Sequence, residues 1–118
     1  MPNVTFYIPT GQMPSDERLA ELSSDCIVLC TSVLEAALEN VHVVYVDVRH
    51  GHGHPVFAEI QYRLETFRTP SVMNQFMEAL DDAIAHRTGF TARIRCFGYA
   101  ASNLHGKRQS EAVLTIRT

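Results

Sequence analysis

The sequence of 118 residues has no tryptophan, and only 8% of its residues are aromatic. It also lacks any apolar run of the roughly 20 residues that a membrane-spanning helix needs. No charged segment followed by an apolar one stands at its start, as a secretory leader would require. We therefore expect a cytoplasmic protein that has no contact with membranes.

An excess of positive charge is also absent. The net charge is −3, and 19% of the residues are charged. A protein that binds nucleic acid through phosphate contacts usually carries a basic face, so we expect no nucleic-acid partner. Hydrophobic residues make up 46% of the chain, which indicates a folded protein rather than a disordered one. The length suits one domain, residues 1–118.

Cysteine is scarce as well, with Cys26, Cys30 and Cys96 making an odd number. Cys26 and Cys30 are four residues apart in a helical pattern, which places both on one face. We interpret all three as reduced, structural residues. A zinc site would favour closer pairs on turns.

Histidines alternate with glycines from His50 to His54. Such a tract could bind a metal, but metal ligands are usually held by further contacts, and the glycines leave this loop free to move. We favour a mobile pocket rim and expect no metal and no cofactor.

The first half of the chain predicts a strand, a helix and a second strand. Apolar residues alternate from Asn3 to Ile8, which is typical of a half-buried strand. Ser15 offers an N-cap to a helix whose apolar stripe extends to a predicted end near Asn40. The valine-rich segment from Val41 to Val48 predicts a buried strand.

The second half predicts the same order of elements. Residues alternate again from Val56 to Leu64. Thr69 and Pro70 suit the start of a helix that ends at Gly89. A strand follows from Ala92 to Tyr99.

After this fourth strand the sequence predicts a loop, Ala100 to Gln109, and a short strand, Glu111 to Thr118. The chain then divides into two β-α-β halves, about residues 1–52 and 53–99, and a tail of residues 100–118. Strands joined by a crossover helix are parallel. We therefore predict an α/β fold with a four-stranded mixed sheet and two helices on one face. The other face would carry polar side chains mixed with aromatics: Glu59, Gln61, Arg63, Arg93 and Arg95.

Pro2 opens the first strand directly after Met1. If Met1 is removed, as is usual before proline, Pro2 carries a free secondary amine held by the sheet. An α-amino group has a pKa of roughly 7.7–8.0, and apolar surroundings or nearby arginines lower it. Such an amine could act as a general base. The alternative is an ordinary proline at the first position of a strand, where it costs no ladder hydrogen bond.

Three further stretches resemble the tautomerase superfamily, in which an amino-terminal proline is the base. Residues 41–47 (VHVVYVD) and 57–63 (FAEIQYR), with Arg68 after them, are similar to strands of 5-carboxymethyl-2-hydroxymuconate isomerases. Residues 101–107 (ASNLHGK) are similar to the tail loop of those enzymes and of macrophage migration inhibitory factor. The resemblance covers nearly the whole chain at low identity.

The resemblance implies a homotrimer whose three sheets close a barrel. It implies an isomerase, a keto-enol tautomerase that uses Pro2 as general base on a small unsaturated or 2-keto/2-hydroxy carboxylic acid, as in aromatic catabolism. It also permits a dehalogenase or decarboxylase of small acids, or a non-enzymatic binding protein of the same fold. Two positions depart from the pattern: His42 and Gln12 stand where an arginine would be expected.

The resemblance also suggests which residues bind the substrate carboxylate and close the pocket. Arg68 could hold the carboxylate or pair with Glu65. Arg63 could bind substrate or pair with Glu59 inside the barrel. The remaining candidates are one residue on the second strand and two beside the tail: His42, Tyr99 and Asn103.

Overall fold

The computed structural model describes residues 1–107. Its four strands are β1 (Asn3–Pro9), β2 (His42–Val48), β3 (Val56–Arg63) and β4 (Ala92–Tyr99), and its two helices are α1 (Asp16–Ser32) and α2 (Pro70–Thr88). Three 3₁₀ turns accompany them: Thr10–Gln12, Leu38–Asn40 and Ala101–Asn103. The end of the predicted Ala100–Gln109 loop and the predicted strand Glu111–Thr118 lie outside the described residues.

The strands form one mixed sheet in the order β2-β1-β3-β4. β1 and β2 are parallel, β3 and β4 are parallel, and β1 and β3 pair antiparallel. The predicted fold class is confirmed, including the parallel pair within each half. Because β1 and β3 run in opposite directions, the starts of β1 and β2 lie at the same end of the sheet as the ends of β3 and β4.

Both helices pack on one face of the sheet and enclose the core. Alternate residues of β1 and β3 point into it, with Val4, Phe6, Ile8, Val56 and Ile60 fully buried. The helices contribute the other large members of the core: Leu22, Cys26, Cys30, Met73, Phe76, Leu80 and Ile84. Arg87 of α2 reaches α1, where its Nε donates to Asp25 at 2.8 Å and its Nη1 donates to Glu21.

The predicted helix starts and the end of α2 are confirmed. The Ser15 hydroxyl accepts a hydrogen bond from the Arg18 amide at 3.2 Å, and Thr69 caps α2 in the same way. Gly89 ends α2 with φ of 77°, a left-handed conformation that glycine adopts without steric cost.

The predicted end of the first helix near Asn40 is wrong. α1 stops at Ser32, Glu35 takes a left-handed φ of 54°, and the Ala36 amide donates to the Cys30 carbonyl at 3.0 Å. Closing the helix in this way turns the chain, so Leu38 is 63% exposed instead of continuing the apolar stripe.

β2 is not the buried strand that its valines suggested. It lies at an edge of the sheet, and Val44 and Val46 are 38% and 37% exposed on the face away from the helices. Valine-rich composition indicates a strand, but it does not distinguish burial by the same chain from burial by another one.

Among the described residues, neither helix is long and apolar enough to cross a membrane.

Candidate functional site

The predicted site residues converge on one end of the sheet. β1 and β2 begin there, β3 and β4 end there, and α2 begins there just after Arg68. Because α1 runs back along the sheet, its carboxyl end at residues 33–36 reaches the same end. The topology thus brings together residues that are almost 100 positions apart in the sequence.

Pro2 occupies the central position at this end. Its side chain is fully buried, and its carbonyl accepts a hydrogen bond from the His42 amide at 3.1 Å. Asn3 is in register with both His42 and Gln61. β3 continues beyond this pair through Tyr62 to Arg63, on the side where Pro2 and Met1 precede β1.

Two guanidinium groups affect the amino terminus. The pKa of the Met1 amino group is lowered from its ordinary value, first by burial and then by the positive charges of Arg63 and Arg68. Both effects disfavour the ammonium form. Pro2 is one residue further into the same surroundings, so its amine would experience them once Met1 is removed.

Arg68 is held firmly by two backbone carbonyls. Its Nε donates to Leu34 at 2.9 Å, and its Nη1 donates to Arg63 at 2.7 Å. The guanidinium also lies 5.2 Å from the centre of the Phe67 ring. In residues 1–107 it forms no ion pair with Glu65, the alternative partner considered from the sequence. Nη2 has no partner in that part of the chain, so the Nη1–Nη2 edge can still donate to a carboxylate.

The Arg63 side chain is exposed and makes no ion pair within the described residues, with Glu59 or otherwise. Arg63 is in register with Tyr99, whose carbonyl accepts a hydrogen bond from the Leu64 amide at 2.8 Å. Asn103 is exposed in the 3₁₀ turn that follows β4. His42 is exposed on the open face of β2. All of these residues therefore lie at the Pro2 end or directly beyond it.

Sequence reasoning missed the carboxyl end of α1. Leu34 is fully buried and supplies the carbonyl that Arg68 binds, and Glu35 next to it has the left-handed φ. No sequence signal marked this segment, because glutamate is not a residue typical of a left-handed position.

Two hollows lie away from Pro2. One, of about 420 Å³, is lined by the His50–His54 loop and by residues from the far ends of the strands. The other, of about 430 Å³, lies between the start of α1 and the end of α2. No group of three potential metal ligands occurs in residues 1–107.

No protein-family model matches the sequence, and no curated protein does. Solved structures match its fold. A member of the cis-3-chloroacrylic acid dehalogenase family has a TM-score of 0.76 at 15% identity, over 89% of this chain and 80% of that one. A macrophage migration inhibitory factor from Toxoplasma gondii has a TM-score of 0.74 at 16% identity, over 92% and 98%. A fused 4-OT described as a symmetric trimer has a TM-score of 0.75 at 13% identity, over 90% and 94%.

Proposed function

The chain has the fold of the tautomerase superfamily, and we propose that it is a keto-enol tautomerase that uses Pro2 as its general base. The observation that carries this proposal is the convergence of the amino terminus, Arg63 and Arg68 at one end of the sheet. Burial and two nearby cations lower the pKa of an amine at this place and so favour the neutral form, which is the form that can remove a proton. The proposal treats residues 1–118 as one domain.

The proposed reaction moves a proton between two positions of a small unsaturated or 2-keto/2-hydroxy carboxylic acid. The Pro2 nitrogen takes a proton from the carbon α to a carbonyl, or from the hydroxyl of a dienol, and becomes a secondary ammonium. The resulting enolate returns to the keto form when that ammonium gives the proton to another carbon of the conjugated system. No cofactor enters this cycle, because the same proton is taken and returned.

The two arginines are proposed to bind the substrate carboxylate together. The exposed Arg63 and the free edge of Arg68 both donate to it. Positive charge held at this place also stabilises the enolate as it forms. His42, Tyr99 and Asn103 would border the pocket, and His42 there replaces the arginine expected from the resemblance.

We also propose that the protein works as a homotrimer. The sheet face away from the helices exposes large apolar side chains, among them Val44, Val46, Phe97 and Tyr99. Three such faces around an axis would cover the apolar groups and leave the charged residues in a wet channel. The fused 4-OT with the same fold is described as a symmetric trimer, which supports this assembly.

A combined measurement of mass and turnover tests the proposed function. Intact mass spectrometry of the purified protein reports whether Met1 is absent, and ketonisation of 2-hydroxymuconate and of phenylpyruvate enol reports turnover. We expect loss of Met1, turnover by the wild type, and a large fall in kcat for Pro2→Ala with little change in KM. Full activity with Met1 retained, or with Pro2→Ala, would show that the base is elsewhere.

The second candidate is a dehalogenase, favoured by the structural likeness to a cis-3-chloroacrylic acid dehalogenase family member. Release of chloride from cis-3-chloroacrylate distinguishes the two activities. Chloride release without ketonisation would identify a dehalogenase, and binding without either reaction would identify a non-enzymatic binding protein.

A further inference from the structure

The His50–His54 loop forms one side of a hollow at the end of the sheet opposite to Pro2. The floor of the hollow is a stacked pair, Tyr7 and Phe57, whose ring centres are 5.7 Å apart at an angle of 17°. Its volume of about 420 Å³ lies within the range of small-molecule sites. Tyr7 is five residues along β1 from Pro2, or about 16 Å at 3.3 Å per residue, so the hollow is separate from the proposed catalytic site.

Cationic and hydrogen-bonding side chains surround this aromatic floor. Arg93 is in register with Phe57, and Arg49 begins the loop. Three imidazoles follow in the loop, at His50, His52 and His54. The lining contains no carboxylate, and neither arginine forms a salt bridge within residues 1–107. Two unneutralised guanidinium groups beside a flat apolar surface are matched to an anion carried on a ring.

The loop is also attached to the sheet near its end. His54 Nδ1 and the Thr91 hydroxyl are hydrogen-bonded at 3.0 Å, and Thr91 directly precedes β4. This hydrogen bond holds the end of the loop beside the start of β4, two residues before Arg93. Gly53, directly before His54, has a left-handed φ of 98°.

We propose that this hollow binds an aromatic carboxylate or aromatic phosphate, with the ring on Tyr7 and Phe57 and the anion on Arg49 and Arg93. The guanidinium groups supply charge-assisted hydrogen bonds, and the loop imidazoles supply further N–H donors. Tyr7, Phe57 and Arg93 lie on the face of the sheet away from the helices, so in the proposed trimer the hollow would face the channel between the copies. This site takes no part in the proposed proton transfer at Pro2, and it does not depend on that function.

Titration followed by ¹H–¹⁵N NMR tests the proposal on the full chain. The probes are phenyl phosphate, benzoate, inorganic phosphate and benzyl alcohol. We expect phenyl phosphate or benzoate to shift the amide signals of Tyr7, His50 and Arg93, and the tighter of the two identifies the preferred anion. Shifts confined to Arg63 and Arg68 would mean that the probes bind only at the Pro2 end and would overturn the proposal.

Arg93→Gln and Arg95→Gln are a matched pair of variants. Both arginines are exposed on the same face of β4, but only Arg93 lines the hollow. We expect Arg93→Gln to weaken binding of the aromatic anion about tenfold or more, the scale of a lost charged hydrogen bond, and Arg95→Gln to leave it within about twofold. Equal losses in both variants would indicate general charge attraction. Binding of inorganic phosphate or benzyl alcohol as tight as that of phenyl phosphate would show that ring and anion are not recognised together. Either result would overturn the proposal.

Discussion

Arg68 links two parts of the fold, and it is also expected to bind the substrate carboxylate. Its Nε and Nη1 join the carbonyls of Leu34 and Arg63, which belong to the end of α1 and the end of β3. The same guanidinium contributes positive charge at the amino terminus. We therefore expect a single substitution at this residue to affect both stability and the proposed reaction, and two substitutions are needed to separate the effects.

Arg68→Ala should lose stability and activity together. Removing two charge-assisted hydrogen bonds should lower the free energy of unfolding by about 2 kcal/mol. Loss of the carboxylate partner and of enolate stabilisation should raise the barrier in kcat/KM by about 2–4 kcal/mol. Urea unfolding and steady-state kinetics measure the two effects.

Arg68→Lys separates these effects. Lysine keeps the positive charge but lacks the planar fork that reaches both carbonyls. We expect a stability loss close to that of Arg68→Ala with a smaller loss of kcat/KM. Equal kinetic losses in both variants would contradict a role for the charge itself.

Arg63→Gln should move the pH dependence of the reaction. The base must be neutral, so kcat/KM rises as the pH passes the pKa of the amine in the free enzyme. The charge of Arg63 lowers the pKa of the Met1 amino group, and we expect the same effect on the Pro2 amine, so removing Arg63 should raise that pKa and shift the ascending limb to higher pH. Arg18→Gln is the control, because Arg18 is exposed near the start of α1, at the other end of the sheet. A limb that stays in place in Arg63→Gln would contradict the effect of Arg63 on the pKa of the titrating base.

At the scale of the helices and strands, the sequence predicts those features that residues close together in the chain determine. Alternation and capping residues were enough for β1, β3, β4 and the start of both helices. The end of α1 could not be predicted, because Leu34 and Glu35 are placed by tertiary contacts and not by a local turn signal. The apolar stripe suggested continuation, but the hydrogen bond from Ala36 to Cys30 closes the helix first.

The candidate site was predictable to the same extent. Its local features could be proposed from the sequence, whereas its tertiary contacts could not. Pro2 and Arg68 could be proposed from the resemblance and from their positions before a strand and before a helix. Sequence alone could not show that Arg68 binds the carbonyls of Leu34 and Arg63. Those carbonyls are backbone groups, and only the fold determines which of them face a given side chain.

Glu35→Gly should stabilise the protein. A left-handed φ of 54° costs a side-chain-bearing residue roughly 1–2 kcal/mol, and glycine avoids this cost while losing some chain entropy. We expect a net gain of about 0.5–1 kcal/mol in the free energy of unfolding. Glu39→Gly is the control: Glu39 is also exposed but has no left-handed φ, so it should give no gain. A loss of stability in Glu35→Gly would show that the glutamate side chain makes a contribution larger than the strain.

The cysteines of α1 should prove structural. Cys26 and Cys30 are fully buried on the helix face that packs against the core, and the pKa of Cys26 is raised by its hydrogen bond with Cys30 and by burial. Replacing each with alanine should cost about 0.5–1.5 kcal/mol, the scale of one lost buried heavy atom. Turnover per folded molecule should stay unchanged in the double variant. Loss of turnover in a fully folded double variant would contradict this interpretation.

At the scale of the whole molecule, the two faces of the sheet differ in how far this chain covers them. The helices bury the central strands on one face, whereas the other face has exposed apolar residues in its two edge strands: Val44 and Val46 in β2, and Phe97 and Tyr99 in β4. A lone chain would present these groups to water together with Glu59 and Arg95, which are neighbours in the register. Burying such a patch against other copies of the chain is favourable in proportion to its apolar area.

The last prediction concerns the edge strand β2. Its valines predicted a buried strand, but Val44 and Val46 are exposed in a single chain. Val44→Lys and Val46→Lys together should place two charges in the proposed interface, where their desolvation opposes assembly. Light scattering should give three times 13.2 kDa for the wild type and a value close to 13.2 kDa for the double variant. Val28→Lys is the matched control, since Val28 is 60% exposed on α1, away from the sheet, and that variant should remain trimeric. Circular dichroism of the double variant should keep its helical signal, because neither valine belongs to the core between sheet and helices. A wild-type protein that stays monomeric at micromolar concentration, or a double variant that assembles as the wild type does, would show that the open face is not where copies of the chain meet.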